Sequence, residues 1–290
     1  FMTSTLAPEI KAFFDSDTNT ITYVVADTTT SACAIIDSVL DYDPTSGRTN
    51  TKSADSVISY ILKSGYRCQW IVETHIHADH LTAAPYLKNK LGGKTAIGND
   101  VTTVQRSFGP IFNAESSFAT DGRQFDHLFS DDEVFKIGNI DARVITTPGH
   151  TPACISYVIG ENCFVGDTMF MPDAGTARCD FPGGNAATLY DSLQRILSLP
   201  DETKLYMCHD YGPGGRDYKW VTSVKEQREK NIHLAEKSRA EYIEIRTTRD
   251  TELSMPKLIL PSVQINMRGG NFPPADNDGV SYIKIPLDKL

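Results

Sequence analysis

The stretch at residues 74–80, Thr-His-Ile-His-Ala-Asp-His, places four side chains that can bind a metal within six residues. These are His75, His77, Asp79 and His80. The apolar run Trp70-Ile71-Val72 precedes them and is typical of a buried strand, so the loop that follows would direct several side chains to one point. Imidazole suits zinc and iron, and a carboxylate adds charge and hardness. Because ionisable side chains are rarely buried without partners, the stretch predicts a metal site.

The composition is that of an ordinary globular protein. The chain has 290 residues, 40% of them hydrophobic and 22% charged, which suffices for one large or two modest domains. The net charge of −9 argues against nucleic acid as the main partner, although a small anionic ligand needs only a few local cations. No run of 18 apolar residues occurs, so no membrane span is predicted.

The use of cysteine indicates a reducing compartment. None of the six cysteines belongs to a Cys-x-x-Cys pair, and most lie in apolar, strand-like contexts where a free thiol behaves as a small hydrophobe. The first six residues lack the basic region and apolar core of a signal peptide. We therefore expect free thiols and a cytoplasmic protein.

Strand-like and helix-like patterns alternate along the chain in two similar halves. The predicted strands cover residues 20–27, 33–39, 68–73, 94–98, 134–144 (a hairpin), 145–150, 154–165 (two strands) and 204–209. The predicted helices cover residues 53–64, 81–88, 99–112 with a break at Gly109-Pro110, 186–199 and 224–245. Residues 41–48 and 113–132 are predicted loops, and residues 258–263 form a late apolar segment. This pattern predicts an α/β (α+β) fold, a sandwich of two mixed β-sheets flanked by helices.

No Pro/Gly/Ser-rich linker divides the chain. We therefore expect a single domain over residues 1–290, with a C-terminal extension from about residue 241 that is too short for an independent catalytic module.

Chemically competent residues recur at the ends of predicted strands. Five of the seven histidines and two aspartates occupy such positions: His75, His77, His80, His150, His209, Asp79 and Asp167. Loops at one rim of a sandwich can bring such residues together. The His-x-His-x-Asp-His motif, the later Pro-Gly-His, the Gly-Asp and the last histidine resemble the ligand series of the metallo-β-lactamase superfamily. That resemblance implies its αββα sandwich. It also implies one metal site of His75, His77 and His150, a second of Asp79, His80 and His209, and Asp167 as a bridge.

Finer motifs resemble the persulfide dioxygenases of that superfamily, in particular a bacterial branch with an extended C-terminus. They are the stretches at residues 73–83, 147–152, 166–170, 173–184, 208–211 and 260–268. The superfamily contains two-zinc hydrolases as well as one-iron oxygenases, so its fold alone does not choose between them.

The dioxygenase resemblance implies one Fe(II) per chain, held by His75, His150 and Asp167. This is the 2-His-1-carboxylate triad of non-haem iron oxygenases. His77, Asp79, His80 and His209 would then orient ligands and hold water. A fully zinc-loaded site remains open, because every ligand of the second site is present.

The implied reaction oxidises glutathione persulfide with O2 and water to sulfite and glutathione. The alternative is a dinuclear zinc hydrolase of the glyoxalase II type, which cleaves a hydroxyacylglutathione thioester with metal-activated water. A metal-dependent sulfur sensor is a third interpretation, but it would need a recognition surface that the sequence does not reveal. A homodimer is compatible with the long predicted helices.

Four residues are candidates for binding the substrate, whose glutathione part carries two carboxylates. Arginine is the usual clamp for a carboxylate, and Arg178 follows the Asp167 loop within a family motif. Tyr211 could donate a hydrogen bond, and Arg216 and Arg268 are further candidates. Three other residues are interpreted as structural or unreactive: His127 in a polar loop, a solvated His233 on the charged helix, and Cys179, which has no resolving cysteine near it in the sequence.

Overall fold

The computed structural model describes residues 7–290, so the first six residues, on which the absence of a signal peptide was predicted, lie outside it. In chain order the strands are β1 (Glu9–Asp15), β2 (Thr20–Asp27), β3 (Ala32–Ile36), β4 (Asp41–Asp43), β5 (Arg48–Asn50), β6 (Arg67–Val72), β7 (Lys94–Gly98), β8 (His127–Phe129), β9 (Val134–Ile137), β10 (Ile140–Thr146), β11 (Ile155–Ile159), β12 (Asn162–Phe164), β13 (Lys204–Tyr206) and β14 (Val221–Ser223). The helices are α1 (Lys52–Lys63), α2 (Ala84–Leu91), α3 (Val101–Ile111), α4 (Ala186–Leu197), α5 (Val224–Lys230), α6 (Arg239–Asp250) and α7 (Ile259–Asn266).

Two six-stranded mixed sheets form the centre of the fold, which confirms the predicted sandwich. The first sheet has the order β1-β2-β3-β6-β7-β8, and the second has the order β14-β13-β12-β11-β10-β9. Alternate residues of β2 show how the layers arise. Ile21, Tyr23 and Val25 belong to the core between the sheets, whereas Val24 packs under α1 and α2 on the outer face. The core under α4 covers the outer face of the second sheet.

Strand direction brings the functional loops together. Strand β10 is antiparallel to β11, which is antiparallel to β12, and β12 is parallel to β13. β10, β12 and β13 therefore run the same way, and their carboxyl ends meet at one edge. The loops that follow them carry His150, Asp167 and His209, and β6 of the other sheet delivers residues 74–80. Within residues 7–290, no helix is long and apolar enough to cross a bilayer.

The single long helix predicted at 224–245 is wrong, because a buried turn divides it into α5 and α6. The Asn231 amide donates to the Gly175 carbonyl at 3.1 Å and to Gln227 at 2.7 Å, and its oxygen accepts from the His233 amide at 3.0 Å. Ser238 and Glu241 then form a capping box that begins α6. His233 is consequently not solvated but 6% exposed, and its Nδ1 accepts from the Thr176 amide at 3.0 Å.

Smaller differences concern loops and breaks. The predicted loop at 41–48 contains the β4–β5 hairpin, and the predicted loop before residue 132 contains β8. The predicted break at Gly109-Pro110 is wrong, because α3 continues to Ile111. Pro110 has no N–H to donate to the Arg106 carbonyl, but the Phe112 amide still donates to the Phe108 carbonyl at 3.0 Å, so the helix continues past it. All six cysteines are free and buried, as expected.

Acid is expected to destabilise the fold through His233. Burial, with help from nearby arginines, lowers the pKa of His233 to about 4, against about 6.5 in an unfolded chain. Because only the unfolded chain binds the proton in that interval, stability present above pH 6.5 should fall by up to about 3 kcal/mol as the pH drops to about 4. Urea unfolding of His233→Gln should lack this loss, whereas the His127→Gln control should keep it. An equal loss in His233→Gln and the unmodified chain would contradict the assignment.

Candidate metal centre

The loop after β6 is held rigidly on several sides. The Asp37 carboxylate accepts from the Thr74 amide at 2.7 Å and from the Thr74 hydroxyl at 2.9 Å. The Asn266 amide of α7 donates to the His77 and His80 carbonyls at 2.9 and 2.8 Å. These contacts fix the backbone from which the metal-competent side chains project.

The structure brings His75, His150 and Asp167 into one buried group. Their donor atoms lie within 4.8 Å of one another. The Asp167 Oδ2 atom is 3.8 Å from the His75 Nε2 and 3.7 Å from the His150 Nε2. These separations suit ligands that share one small cation, since metal–ligand bonds of about 2.0–2.2 Å span such a gap.

A second group of donors adjoins the first. His77, Asp79, His80 and His209 also have donor atoms within 4.8 Å of one another. The His209 Nε2 lies 3.1 Å from Asp79 Oδ2 and 3.2 Å from Asp167 Oδ1. Asp167 therefore turns one oxygen to each group, as a bridging carboxylate would.

The unpaired atoms of the site show that the residues fit a metal. Six buried side-chain atoms that point into the two groups have no hydrogen-bond partner in the described residues: His75 Nε2, His77 Nδ1, Asp79 Oδ2, His80 Nε2, Asp167 Oδ1 and His209 Nε2. Burying unpaired polar atoms costs roughly 1–3 kcal/mol for each of them. Lone pairs that converge in this way are satisfied together by a cation.

Hydrogen bonds to neighbouring groups determine which ring nitrogen of His150 and His77 faces the metal donors. The His150 Nδ1 donates to the Arg178 carbonyl at 2.8 Å, which leaves its Nε2 free. The His77 Nε2 donates to Asp37 at 3.0 Å and to Glu73 at 3.2 Å, which leaves its Nδ1 free. Such outer partners fix the ring and make it a better ligand.

The pKa values of two of these rings are shifted in opposite directions. Burial, reinforced by the neighbouring histidines, lowers the pKa of His75 well below its usual value, so this ring is neutral and its lone pair is available. Burial would also lower the pKa of His77, but the Asp37 carboxylate raises it well above the usual value, so this ring gives up its Nδ1 proton when that atom binds a metal. Burial raises the pKa of the adjacent Cys208 thiol well above its usual value, so this residue stays a thiol.

The structure separates the four predicted substrate-binding residues. Arg178 and Tyr211 line the large cavity in front of the donors, and the Tyr211 ring stacks on His209 with centroids 6.1 Å apart. Arg178 is also tied down, because it forms a two-pronged pair with Asp180 at 2.6 Å and donates to the Ser254 carbonyl at 2.7 Å.

The other two predicted arginines have partners away from the donors. Arg216 is paired with Asp173 and with the buried Asp210, with contacts of 2.5–2.8 Å. Arg268 pairs with Glu115 at 2.6 Å. Neither arginine lines the cavity. The role of all four residues in binding stays a prediction.

Sequence reasoning missed several residues of the site. Asp37 follows a strand and precedes a loop, a position that could have drawn attention to it. Asn266 gave no such signal. Arg249 and Lys257 line a cavity of about 1470 Å³ and make no salt bridge in the part of the chain that is described. They were missed because the predicted helix ended at residue 245 and the turn after α6 was not predicted.

Comparison with known proteins agrees with this geometry. The family model described as the metallo-beta-lactamase superfamily matches residues 17–209, which span strands β2 to β13 and all seven donors. The chain belongs to the metallo-β-lactamase superfamily. Its α/β sandwich and its set of metal donors are thus shared with a superfamily of metal-dependent enzymes.

Three known proteins are similar to the chain over most of its length. Glyoxylase B2 of Dictyostelium discoideum is 51% identical over 97% of the chain and 99% of its own length. The mitochondrial persulfide dioxygenase ETHE1 of Homo sapiens is 28% identical over 90% of the chain and 88% of its own length. The crystal structure of ETHE1 from Myxococcus xanthus has a TM-score of 0.72 at 31% identity, covering 91% of this chain and 100% of that one.

Removing the shared carboxylate should affect both groups of donors. Asp167→Ala is expected to weaken zinc binding at both, whereas Asp79→Ala should lose about one zinc equivalent and keep the other. Metal-free protein would be reloaded with zinc and its metal content measured, with His127→Ala as a control in a surface ion pair. Full binding of two zinc ions by Asp167→Ala would contradict the bridging arrangement.

Proposed function

We propose that this protein is an iron-dependent persulfide dioxygenase that oxidises glutathione persulfide with O2 and water to sulfite and glutathione. The observation that carries the proposal is the buried group of His75, His150 and Asp167, with donor atoms within 4.8 Å of one another. Two histidines and one carboxylate are the donor set of non-haem Fe(II) oxygenases. Iron bound there would supply the redox chemistry that couples O2 to the substrate sulfur.

Two further findings support this proposal. The ETHE1 proteins resemble the chain over most of its length, and the human one is named a persulfide dioxygenase. The segment at residues 177–181, which resembles that family, also lies against the triad. Its Arg178 carbonyl holds His150, and the Phe181 ring packs on the His150 ring with centroids 5.3 Å apart.

The protein's own residues would bind and orient the substrate. The apolar rings of Phe170 and Phe181 line the cavity near the donors and limit the access of water. Tyr211 stands beside them with its ring half exposed. Arg249 and Lys257, on the wall formed by α6 and the segment after it, offer cations to the two carboxylates of glutathione.

A second candidate is a dinuclear zinc hydrolase of a glutathione thioester. Asp167 turns one oxygen to each donor group, and a second set of donors is complete. The relative at 51% identity is named a glyoxylase, so the name of this more similar protein favours the hydrolase. The activity to be assigned therefore depends on which metal fills which group.

One variant separates the two activities. Asp79→Ala removes a donor of the second group only, so a triad-based dioxygenase should keep its iron and lose roughly tenfold in turnover, as expected for a residue that orients a ligand. A two-metal hydrolase should lose one metal ion and fall by about 100-fold or more. Anaerobically purified protein would be assayed for iron and zinc, for O2 uptake with glutathione persulfide, and for hydrolysis of lactoylglutathione. His127→Ala serves as the control.

Thioester hydrolysis without O2 uptake, in protein that carries two zinc ions, would overturn the dioxygenase proposal. Loss of O2 uptake in His75→Ala but not in His127→Ala would support it.

Arg249 and Lys257 should act on substrate affinity. Replacing Arg249 and Lys257 by glutamine is expected to raise KM about tenfold, equivalent to ~1.4 kcal/mol, with kcat within about twofold. A double variant at Lys63 and Lys204 removes the same net charge outside the cavity and should leave KM unchanged. Equal KM values in both double variants would contradict this role.

We also propose that the protein is cytoplasmic and that its partners are glutathione persulfide and O2. A homodimer is the assembly to be tested. Six free, buried cysteines support a reducing compartment.

A further inference from the structure

A single threonine contacts two histidines of the second donor group. Thr20 is fully buried at the start of β2, and its hydroxyl oxygen lies 3.3 Å from the Nδ1 of His80 and 3.3 Å from the Nδ1 of His209. These histidines are far apart in the sequence, and they belong to loops from different sheets. Thr20 therefore links the two halves of the sandwich at the metal centre.

Backbone contacts fix Thr20 in this place. The Ile21 amide donates to the Cys208 carbonyl at 2.7 Å, and the Asp210 amide donates to the Asn19 carbonyl at 3.2 Å. Residues 19–21 thus pair with the segment that carries His209, and Thr20 and His209 form a β-bridge. The hydroxyl has little freedom to move away from the two rings.

The donors and acceptors around the Thr20 hydroxyl can be assigned from Asp15, which ends a chain of hydrogen bonds through Thr18. The Thr18 hydroxyl donates to the Asp15 carboxylate at 2.5 Å, and a carboxylate can only accept. Thr18 therefore accepts from the Thr20 hydroxyl at 2.8 Å. Having used its single proton, the Thr20 oxygen can only accept from both imidazoles, so both Nδ1 atoms carry protons.

The free atoms of the two rings agree with this direction. The Nε2 atoms of His80 and His209 are the ones without hydrogen-bond partners among the described residues. The His209 Nε2 faces carboxylate oxygens of Asp79 and Asp167 at 3.1 and 3.2 Å, where a lone pair would be repelled unless a cation lay between them.

We propose that Thr20 is a positioning residue that holds His80 and His209 with Nδ1 protonated and both Nε2 lone pairs directed into the second donor group. A chain of hydroxyls through Thr18 ends at Asp15 on the cavity wall and keeps that direction. The role does not depend on the proposed dioxygenase activity, since it concerns the second donor group and applies to either enzyme.

The two histidines should depend on Thr20 to different degrees. His209 Nδ1 has another acceptor, the Asn19 carbonyl at 3.3 Å. Apart from Thr20, His80 Nδ1 has only a longer contact in residues 7–290, with Asp79 Oδ1 at 3.5 Å. Loss of the hydroxyl should therefore release the His80 ring first, which general loosening of the fold would not do selectively.

The test compares Thr20→Val with Thr20→Ser and the unmodified chain. Thr95→Val is the matched control, because Thr95 is a buried strand residue of the same sheet whose hydroxyl also contacts an aspartate, Asp126. Nitrogen-15 NMR of the histidines in metal-free protein reports the tautomers, and zinc titration against a competing chelator reports the affinities of the two equivalents.

In the unmodified chain both histidines should carry the proton on Nδ1. Thr20→Val should mix the tautomers of His80 and weaken the second zinc equivalent about tenfold or more, with the first equivalent within about twofold. Thr20→Ser should restore both readouts, and Thr95→Val should change neither.

An unchanged His80 tautomer in folded Thr20→Val would overturn the proposal, as would a failure of Thr20→Ser to rescue. If Thr20→Val does not fold, Thr18→Val carries the test, because it removes the acceptor that sets the direction. A fixed Nδ1 proton on His80 in that variant would also overturn the proposal.

Discussion

The Asp167 carboxylate is the contact on which the metal centre depends. One of its oxygens faces His75 and His150, and the other faces His209. The loops around it come from both sheets, so the two halves of the sandwich must be docked before the donors converge. The rigid support by Asp37 and Asn266 makes sense in this light, because unpaired donors held this close would separate if their loops could relax.

The same shared carboxylate explains how one fold can serve two chemistries. By itself, the group of His75, His150 and Asp167 presents two histidines and a carboxylate, which suits iron and O2. Both groups together present a complete set for two zinc ions and a hydrolytic water. The choice is made by the neighbours that orient each ring and by the metal that is bound.

Much of the metal centre could be predicted from the sequence, because each donor follows a strand and strands that run together end at one edge. The features that could not be predicted depend on tertiary contacts between residues that are far apart in the sequence. The buried turn at Asn231 interrupts a helical pattern through contacts with Gly175, far away in the sequence, and it also buries His233. Thr20 gives no signal in a strand of threonines and valines until the second sheet places His209 beside it.

We propose that the triad of His75, His150 and Asp167 holds iron. Anomalous diffraction from crystals of anaerobically purified protein, collected at the iron and zinc absorption edges, measures this directly. An iron peak between those three side chains is the expected result. Zinc at full occupancy in both donor groups, without iron, would contradict it.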